Sequence, residues 1–319
     1  MVQSRKSCIG RVGLASLCVL GGLFAAMPAW SIDAGEAAYT FLKIGTDARA
    51  EGMGGAQTGL ADGLGGSFYN PAALALALPH QVMATYNNWV TDIQSGFLAG
   101  TLSVGDRSRL GVAVQYMDYG NFAGRDVEGN STGGFSASDV AFSLGFAGSL
   151  GQQAHWGAAG RLISESIDNQ SSMALALDVG VIYAFADGRT RAGLAVRNVG
   201  EQTNTLVGGH KDELPLAASL GLSHHLHDAP LLVAADLLKP IDDDFGGAFG
   251  IEFSGLHPLQ LRAGYNTLAG RINTGSNRDK LAGLTLGLGF IHDRITVDYA
   301  FGAYSKLGDS HRFTLRTSF

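Results

Sequence analysis
Nine histidines are the first residues to suggest chemistry in this chain of 319. Three of them crowd together in Ser223-His224-His225-Leu226-His227, with Asp228 adjacent. Two or three imidazoles beside a carboxylate form a transition-metal donor set. The cluster falls where the pattern predicts a short turn, however, and a solvated turn is the simpler reading. Asp242-Asp243-Asp244 followed by Gly246 and Gly247 resembles the opening of a calcium loop. The ligand expected at its fifth position is missing, and Glu252 stands one place short of the twelfth. We read it as a solvated loop. The chain has no G-x-S-x-G, no phosphate loop and no H-E-x-x-H. A Ser–His pair assembled by the fold needs no local motif, but the pattern gives no positive sign of an enzyme. No cofactor and no metal are expected.

The remaining chemistry lies in charges that recur at every second position. Arg161, Asp178, Arg191, Arg197, Asp236, Glu252, Arg262, Asp298 and Arg316 all sit in stretches of alternating polar and apolar residues, on the polar side. The fourth such stretch, 139–147, shows the alternation. Val140, Phe142, Leu144 and Phe146 face one way, and Ala141, Ser143 and Gly145 the other. We read fourteen strands on this basis: 81–86, 95–103, 109–116, 139–147, 156–164, 174–185, 190–197, 216–223, 231–238, 248–253, 259–266, 281–291, 295–301 and 311–319. The connections alternate short and long along the chain. Residues 104–108, 148–155, 186–189 and their successors are brief, while 117–138, 198–215 and 267–280 are long. A meander puts alternate connections at opposite ends, so one end is trimmed and the other elaborated. That is the habit of a transmembrane barrel with short periplasmic turns.

Composition narrows the class further. Residues 1–31 read as a signal peptide, with Arg5, Lys6 and Arg11 ahead of an apolar stretch and Ala29-Trp30-Ser31 as the cleavage signal. Both cysteines, Cys8 and Cys18, fall within it, so no disulfide or thiolate chemistry is expected beyond it. Cys18 is a poor lipid acceptor, because Leu17 before it is too large for that signal. The leader carries three basic residues and no acidic one. Its removal makes a chain of formal charge −6 more acidic still, which argues against a nucleic-acid partner. No later stretch is long and apolar enough for a membrane-spanning helix. An exported chain rich in short strands is then either a soluble β protein or an outer-membrane barrel, and the loop parity favours the barrel.

The apolar side, including Val112, Val114, Phe142, Leu144, Leu194, Val196, Leu220, Leu222, Phe249, Ile251, Leu286, Leu288 and Val297, would face lipid. The polar side would face the lumen. Its charges, Arg161, Asp178, Arg197, Asp236, Glu252, Arg262 and Asp298 among them, have both signs. Pairing across the interior is therefore favoured over a selectivity ring, with substrate guidance as the alternative. Glycine is in excess, 46 residues, roughly twice the usual ~7%. Gly111, Gly145, Gly193, Gly221, Gly250, Gly264, Gly287 and Gly289 all share the inward parity, and a lining of small residues leaves room for an occupant.

The stretch 41–78, FLKIGTDARAEGMGGAQTGLADGLGGSFYNPAALALAL, is that candidate occupant. It has no period of two. Only its end looks regular, with Asn70 as a cap, Pro71 at the first helical position and Ala72 onward as helix formers. We therefore expect a signal peptide at 1–31, an N-terminal plug or hatch at 32–80 and a 14-stranded antiparallel transmembrane β-barrel at 81–319. The key plug residues would be Arg49, Gly52, Gly54, Gly55, Asn70 and Pro71.

The same run resembles the N-terminal signature of the PorV/PorQ family, relatives of the FadL-type transporters. The resemblance rests on Phe41-Leu42-Lys43-Ile44-Gly45, Asp47-Ala48-Arg49, Gly52-Met53-Gly54-Gly55, Ala61-Asp62 and Asn70-Pro71-Ala72. It continues through 133–139, Leu214-Pro215-Leu216, 261–265 and the closing strands. The resemblance implies a 14-stranded outer-membrane barrel with its N-terminus folded into the lumen. It also implies one of two roles: passive passage of hydrophobic small molecules, or a type IX-like secretion barrel that binds secreted or surface proteins. Residues 117–138, polar and rich in glycine, depart from the apolar outer groove of FadL-type proteins. Outer-membrane lipid is the expected surroundings.

Overall fold
A computed structural model describes residues 37–60, 63–206, 209 and 211–319. The leader, the first residues of the 32–80 segment and the Ala61-Asp62 part of its signature lie outside the described residues. Period-two alternation becomes fourteen strands among the described residues, in chain order: β1 Gln81–Asn88, β2 Gln94–Val104, β3 Ser108–Arg125, β4 Ser131–Leu150, β5 Ala154–Ile167, β6 Gln170–Ala184, β7 Thr190–Asn204, β8 Ala217–His225, β9 Leu231–Pro240, β10 Gly246–Leu256, β11 Leu259–Asn266, β12 Leu284–His292, β13 Ile295–Ala303 and β14 Asp309–Ser318. Each pairs antiparallel with its sequence neighbours, and β1 pairs β14 in the register Gln81↔Ser318 to Asn88↔His311, closing the barrel. Closure satisfies the backbone within the wall, so only side chains meet the surroundings.

The outward side chains are those hydrocarbon requires. Val112, Val114, Phe142, Leu144, Leu222, Phe249, Ile251, Leu286, Leu288 and Val297 are all exposed. Two of the expected set depart from this: Leu194 is buried between its cross-strand partners Val181 and Leu220, and Val196 is half-buried. Aromatic pairs such as Phe146–Trp156 and Tyr183–Phe185 lie at the strand ends nearest the short turns, where interfacial girdles belong.

Two loop expectations change. Residues 117–138 are mostly strand. β3 and β4 run on as a tall hairpin whose tip is only 126–130, with Phe122 stacked on Phe135. Between β5 and β6 only two residues, 168–169, connect the strands. Loop length is therefore not uniformly greater at that end. The elaboration there is partly strand that continues past the rest of the wall. The longest connection without strand is 267–283, which holds two 3₁₀ turns.

The segment 37–78 has little regular structure of its own. Asp47 caps the short helix Ala48–Gly52, accepting the Arg49 N–H at 3.2 Å. Asn70 caps the 3₁₀ helix Pro71–Leu76, accepting the Ala72 N–H at 3.0 Å. A helix that short is marginal alone, so its order comes from what surrounds it. Tyr39, Phe41, Leu42, Ala48, Ala50, Met53, Asn70, Ala72 and Ala73 are all essentially fully buried.

Candidate functional site
The inner face of the wall and the segment 37–78 define the site together. The segment meets the strands one after another. Leu64 packs with Met83 of β1 and Phe97 of β2. Leu74 lies against Gly111 of β3 and Gly145 of β4, Pro71 against Gly157 of β5, and Asn70 against Gly180 of β6. Thr58 abuts Gly193 of β7, and Gly59 abuts Gly221 of β8. The Gln57 and Thr58 N–H groups each donate to Asp236 of β9 at 2.8 Å. Met53 covers Gly250 of β10, Gly54 lies against Gly264 of β11, and Gly52 against Gly287 of β12. The Glu51 carboxylate sits against Gly302 of β13, and the Ala48 N–H donates to Thr314 Oγ1 of β14 at 2.9 Å. A segment that touches all fourteen strands of a closed barrel, on their small-residue side, lies in its lumen.

Glycine is needed where backbones meet. A Cβ on Gly250 would stand 2.5 Å from the Met53 carbonyl oxygen, and one on Gly221 2.6 Å from the Gly59 nitrogen. Gly54 and Gly55 also hold positive φ, at 66° and 83°, which lets the segment turn between β10 and β12. Of the eight inward glycines, all but Gly289 lie against the segment. Gly289 faces Arg262 and Asp298 instead.

The charges form one chain that ties segment to wall. Arg49 donates to Glu252 in the bidentate manner, Nε at 2.6 Å and Nη2 at 2.8 Å. Glu252 also accepts from Arg262 Nε at 2.6 Å, and Arg262 Nη1 reaches Asp298 at 2.6 Å. Asp298 lies 3.6 Å from Arg316, which donates to Asp47 at 3.2 Å. Beside this chain, Arg312 donates to Glu51 at 2.8 Å, and Tyr304 donates to the same carboxylate at 3.2 Å. Asp47, Arg49 and Glu51 therefore put alternating charges from one helical turn onto β10 and β14, and Arg262 and Asp298 extend the chain to β11 and β13 within the wall. Charge-assisted bonds of this kind, removed from water, are strong only while every partner is present.

The other expected charges fall elsewhere. Arg161 pairs with Asp178 at 2.5 Å, and its guanidinium lies 5.0 Å from the centre of the Phe68 ring. Arg197 makes no ion pair among the described residues; it donates to the Phe68 carbonyl at 3.5 Å and lies over Phe68 and Tyr69 at 5.5 and 5.9 Å. Asp236 holds segment amides rather than a cation. Pairing across the interior thus accounts for Arg161, Asp178, Glu252, Arg262 and Asp298, but not for Arg197 or Asp236. Asn70, fully buried, donates to the Thr58 carbonyl at 2.9 Å and the Val181 carbonyl at 3.1 Å. Asp47, Glu51 and Arg312 were not among the expected site residues. The alternation Asp47-Arg49-Glu51 and the inward parity of Arg312 were the signals for them.

The loop end of the lumen holds a cavity of about 410 Å³. Leu42, Ile44, Trp89, Leu238, Leu268 and Tyr304 line it, and Tyr69 and Arg197 are among its polar contacts. Lys43 and Asp242 form an ion pair between the segment and the β9–β10 loop at this cavity. Asp243 pairs with Arg271, so Asp242 and Asp243 each tie their loop to another part of the chain. His224 shares a hydrogen bond with Thr190, and His227 is exposed beside Asp228. Among the described residues no three His, Cys, Asp or Glu side chains gather as a metal site.

Solved structures share the architecture. CymD, described as a monoaromatic hydrocarbon channel, matches with a TM-score of 0.59 at 14% identity, covering 86% of this chain and 98% of its own. The Pseudomonas putida toluene transporter TodX matches at 0.59 and 16% identity, covering 86% and 96%. A Pseudomonas aeruginosa FadL homologue matches at 0.55 and 12%, covering 86% and 98%. At such identities the likeness is one of fold. No curated protein matches the sequence. The sequence model of PorV, described as a type IX secretion system protein, matches residues 32–229. The matched family and folds are secretion-associated and channel barrels, not enzymes. The chain is an outer-membrane β-barrel with the FadL-like fold, and it belongs to the PorV family.

Proposed function
We propose that this barrel lets hydrophobic small molecules cross the outer membrane passively, with the segment 37–78 as a movable plug. The observation that carries this reading is the cavity of about 410 Å³ at the loop end, bounded by segment residues on one side and wall residues on the other. Its size falls within the range of roughly 300–1,000 Å³ usual for small-molecule sites. Its lining of Leu42, Ile44, Trp89, Leu238 and Leu268 suits an apolar guest, and Arg197 offers a guanidinium to a polar end. Below it the segment fills the lumen, so passage requires the segment to shift, towards the turn end or sideways through the wall. The charged chain from Arg49 to Asp47 holds it closed.

The test is uptake of toluene and of oleate into vesicles with a lipopolysaccharide outer leaflet, comparing the native barrel with one lacking Gly52–Gly66. Retained heat-modifiable migration would establish that the shortened barrel is folded. A changed flux supports the plug; unaltered flux of both solutes counts against it.

A second reading is favoured by the PorV match: a secretion-associated or scaffold barrel that binds secreted or surface proteins. The hairpin of β3 and β4, with Val127 fully exposed at its tip, would be the contact. Removing 119–134 should then abolish recovery of surface proteins in a pull-down and leave solute flux as it was.

A further inference from the structure
The tall β3–β4 hairpin has a second cavity on its inner side, of about 310 Å³, separate from the one in the lumen. Tyr119, Phe122, Phe135, Ala137, Asp139, Glu165 and Ile167 line it. Phe122 and Phe135 are cross-strand partners with ring centres 5.2 Å apart and planes 23° from parallel. Asp139 and Glu165 are also direct cross-strand partners. Like charges opposite one another destabilise a strand pair, so this arrangement needs a reason.

The carboxylates have few partners. Asp139 is 2% exposed, and its Oδ2 accepts the Tyr119 hydroxyl at 2.6 Å. Its Oδ1 is buried with no hydrogen-bond partner. Glu165 accepts the Tyr39 backbone N–H. No basic side chain among the described residues pairs with either acid. Leaving a buried acceptor without a donor is unfavourable, and the cavity leaves space for a donor to reach it.

We propose that this alcove binds an organic ammonium ion with an apolar or aromatic body. The ammonium N–H groups would donate to Asp139 Oδ1 and to Glu165. The body would lie against Phe122, Phe135 and Ile167, with the ring faces adding cation–π attraction. The chemistry excludes carboxylates and gives uncharged solutes only the apolar half of the site. This proposal does not rest on passive transport, since a binding site at the hairpin is compatible with either reading above.

The test is calorimetric titration of the purified full-length barrel, in a non-ionic detergent, with three probes of similar shape: 2-phenylethylammonium, 2-phenylethanol and 3-phenylpropionate. The ammonium should bind saturably, at one per barrel, roughly tenfold or more tightly than the alcohol. The propionate should show no binding. Asp139→Asn should weaken the ammonium by roughly tenfold or more, and Phe122→Ala by roughly threefold to tenfold. Equal binding of the three probes by the native protein would overturn the proposal, and so would undiminished binding by both variants. So would calcium binding at the site with no response to the ammonium. The probe series needs no variant, so a misfolded Asp139→Asn protein leaves the question decidable.

Discussion
Glu252→Gln is the most informative single change. Glu252 is 5% exposed and bridges Arg49 of the segment to Arg262 of the wall. Breaking a buried ion pair by removing one partner costs about 3–5 kcal/mol. Glutamine keeps one oxygen that can accept from either arginine, so we take the low end, about 3 kcal/mol. The loss falls mainly on the contact between the Ala48–Gly52 helix and β10–β11. The rest of the segment remains held by Asn70, Pro71 and Leu74. Local opening of residues 48–54 should therefore become easier by roughly a hundredfold. Hydrogen exchange read by mass spectrometry reports this directly, because those amides bond only within the turn and to the wall. Peptides from β3 to β5 should exchange as in the native protein. Equal exchange of residues 48–54 in both proteins, with the variant's barrel intact, would show that the charged chain does not hold the segment.

Other outcomes follow from the same geometry. Asn70→Ala removes a cap and takes the amide donor from the buried Thr58 carbonyl and the half-buried Val181 carbonyl, a loss of about 2–4 kcal/mol in urea unfolding from vesicles. Leu286→Arg on the lipid face should cost about 2–4 kcal/mol, whereas Leu281→Arg in the 267–283 loop, where the side chain is 54% exposed, should cost little. Asp279 in that loop is held at about 2 by the Ser305 hydroxyl, with Thr274 adding to it. Because its folded value is depressed, its contribution is present above the usual carboxylate range and lost as pH falls through about 2. Pepsin should therefore cut 267–283 slowly at pH 4 and readily near pH 2; equal cutting at both would contradict the assignment.

The wall was legible because a lipid-facing strand repeats its chemistry every second residue. Val140 to Phe146 and Ile295 to Phe301 declare their faces without help from the rest of the chain. Between Met117 and Ser138 that signal failed. Gly120 takes a positive φ, and the register shifts between Asp118 and Asn121, so the alternation changes phase midway. The pairing of Phe122 with Phe135 across the tip was the surviving clue. The lumen was legible as space, from the parity of the inward glycines, and as charge. Which charge met which was not. Arg49 and Glu252 are 203 residues apart, and nothing local to either names the other. Arg197 and Asp236 show the same limit: inward parity places them in the lumen but cannot say that one meets aromatic rings and the other backbone amides.

The central claim is that the segment must leave its place for a solute to pass. Cysteines at Ala48 and Thr314, where the Ala48 nitrogen and Thr314 Oγ1 are 2.9 Å apart, would lock segment to wall. Both native cysteines, Cys8 and Cys18, fall in residues 1–31, so changing both to serine leaves the pair as the only thiols. Toluene and oleate flux into lipopolysaccharide-coated vesicles would then be measured with the pair oxidised and reduced. The account predicts flux no greater than that of protein-free vesicles when oxidised, restored on reduction. Equal flux in the two states, with the disulfide verified, would contradict it.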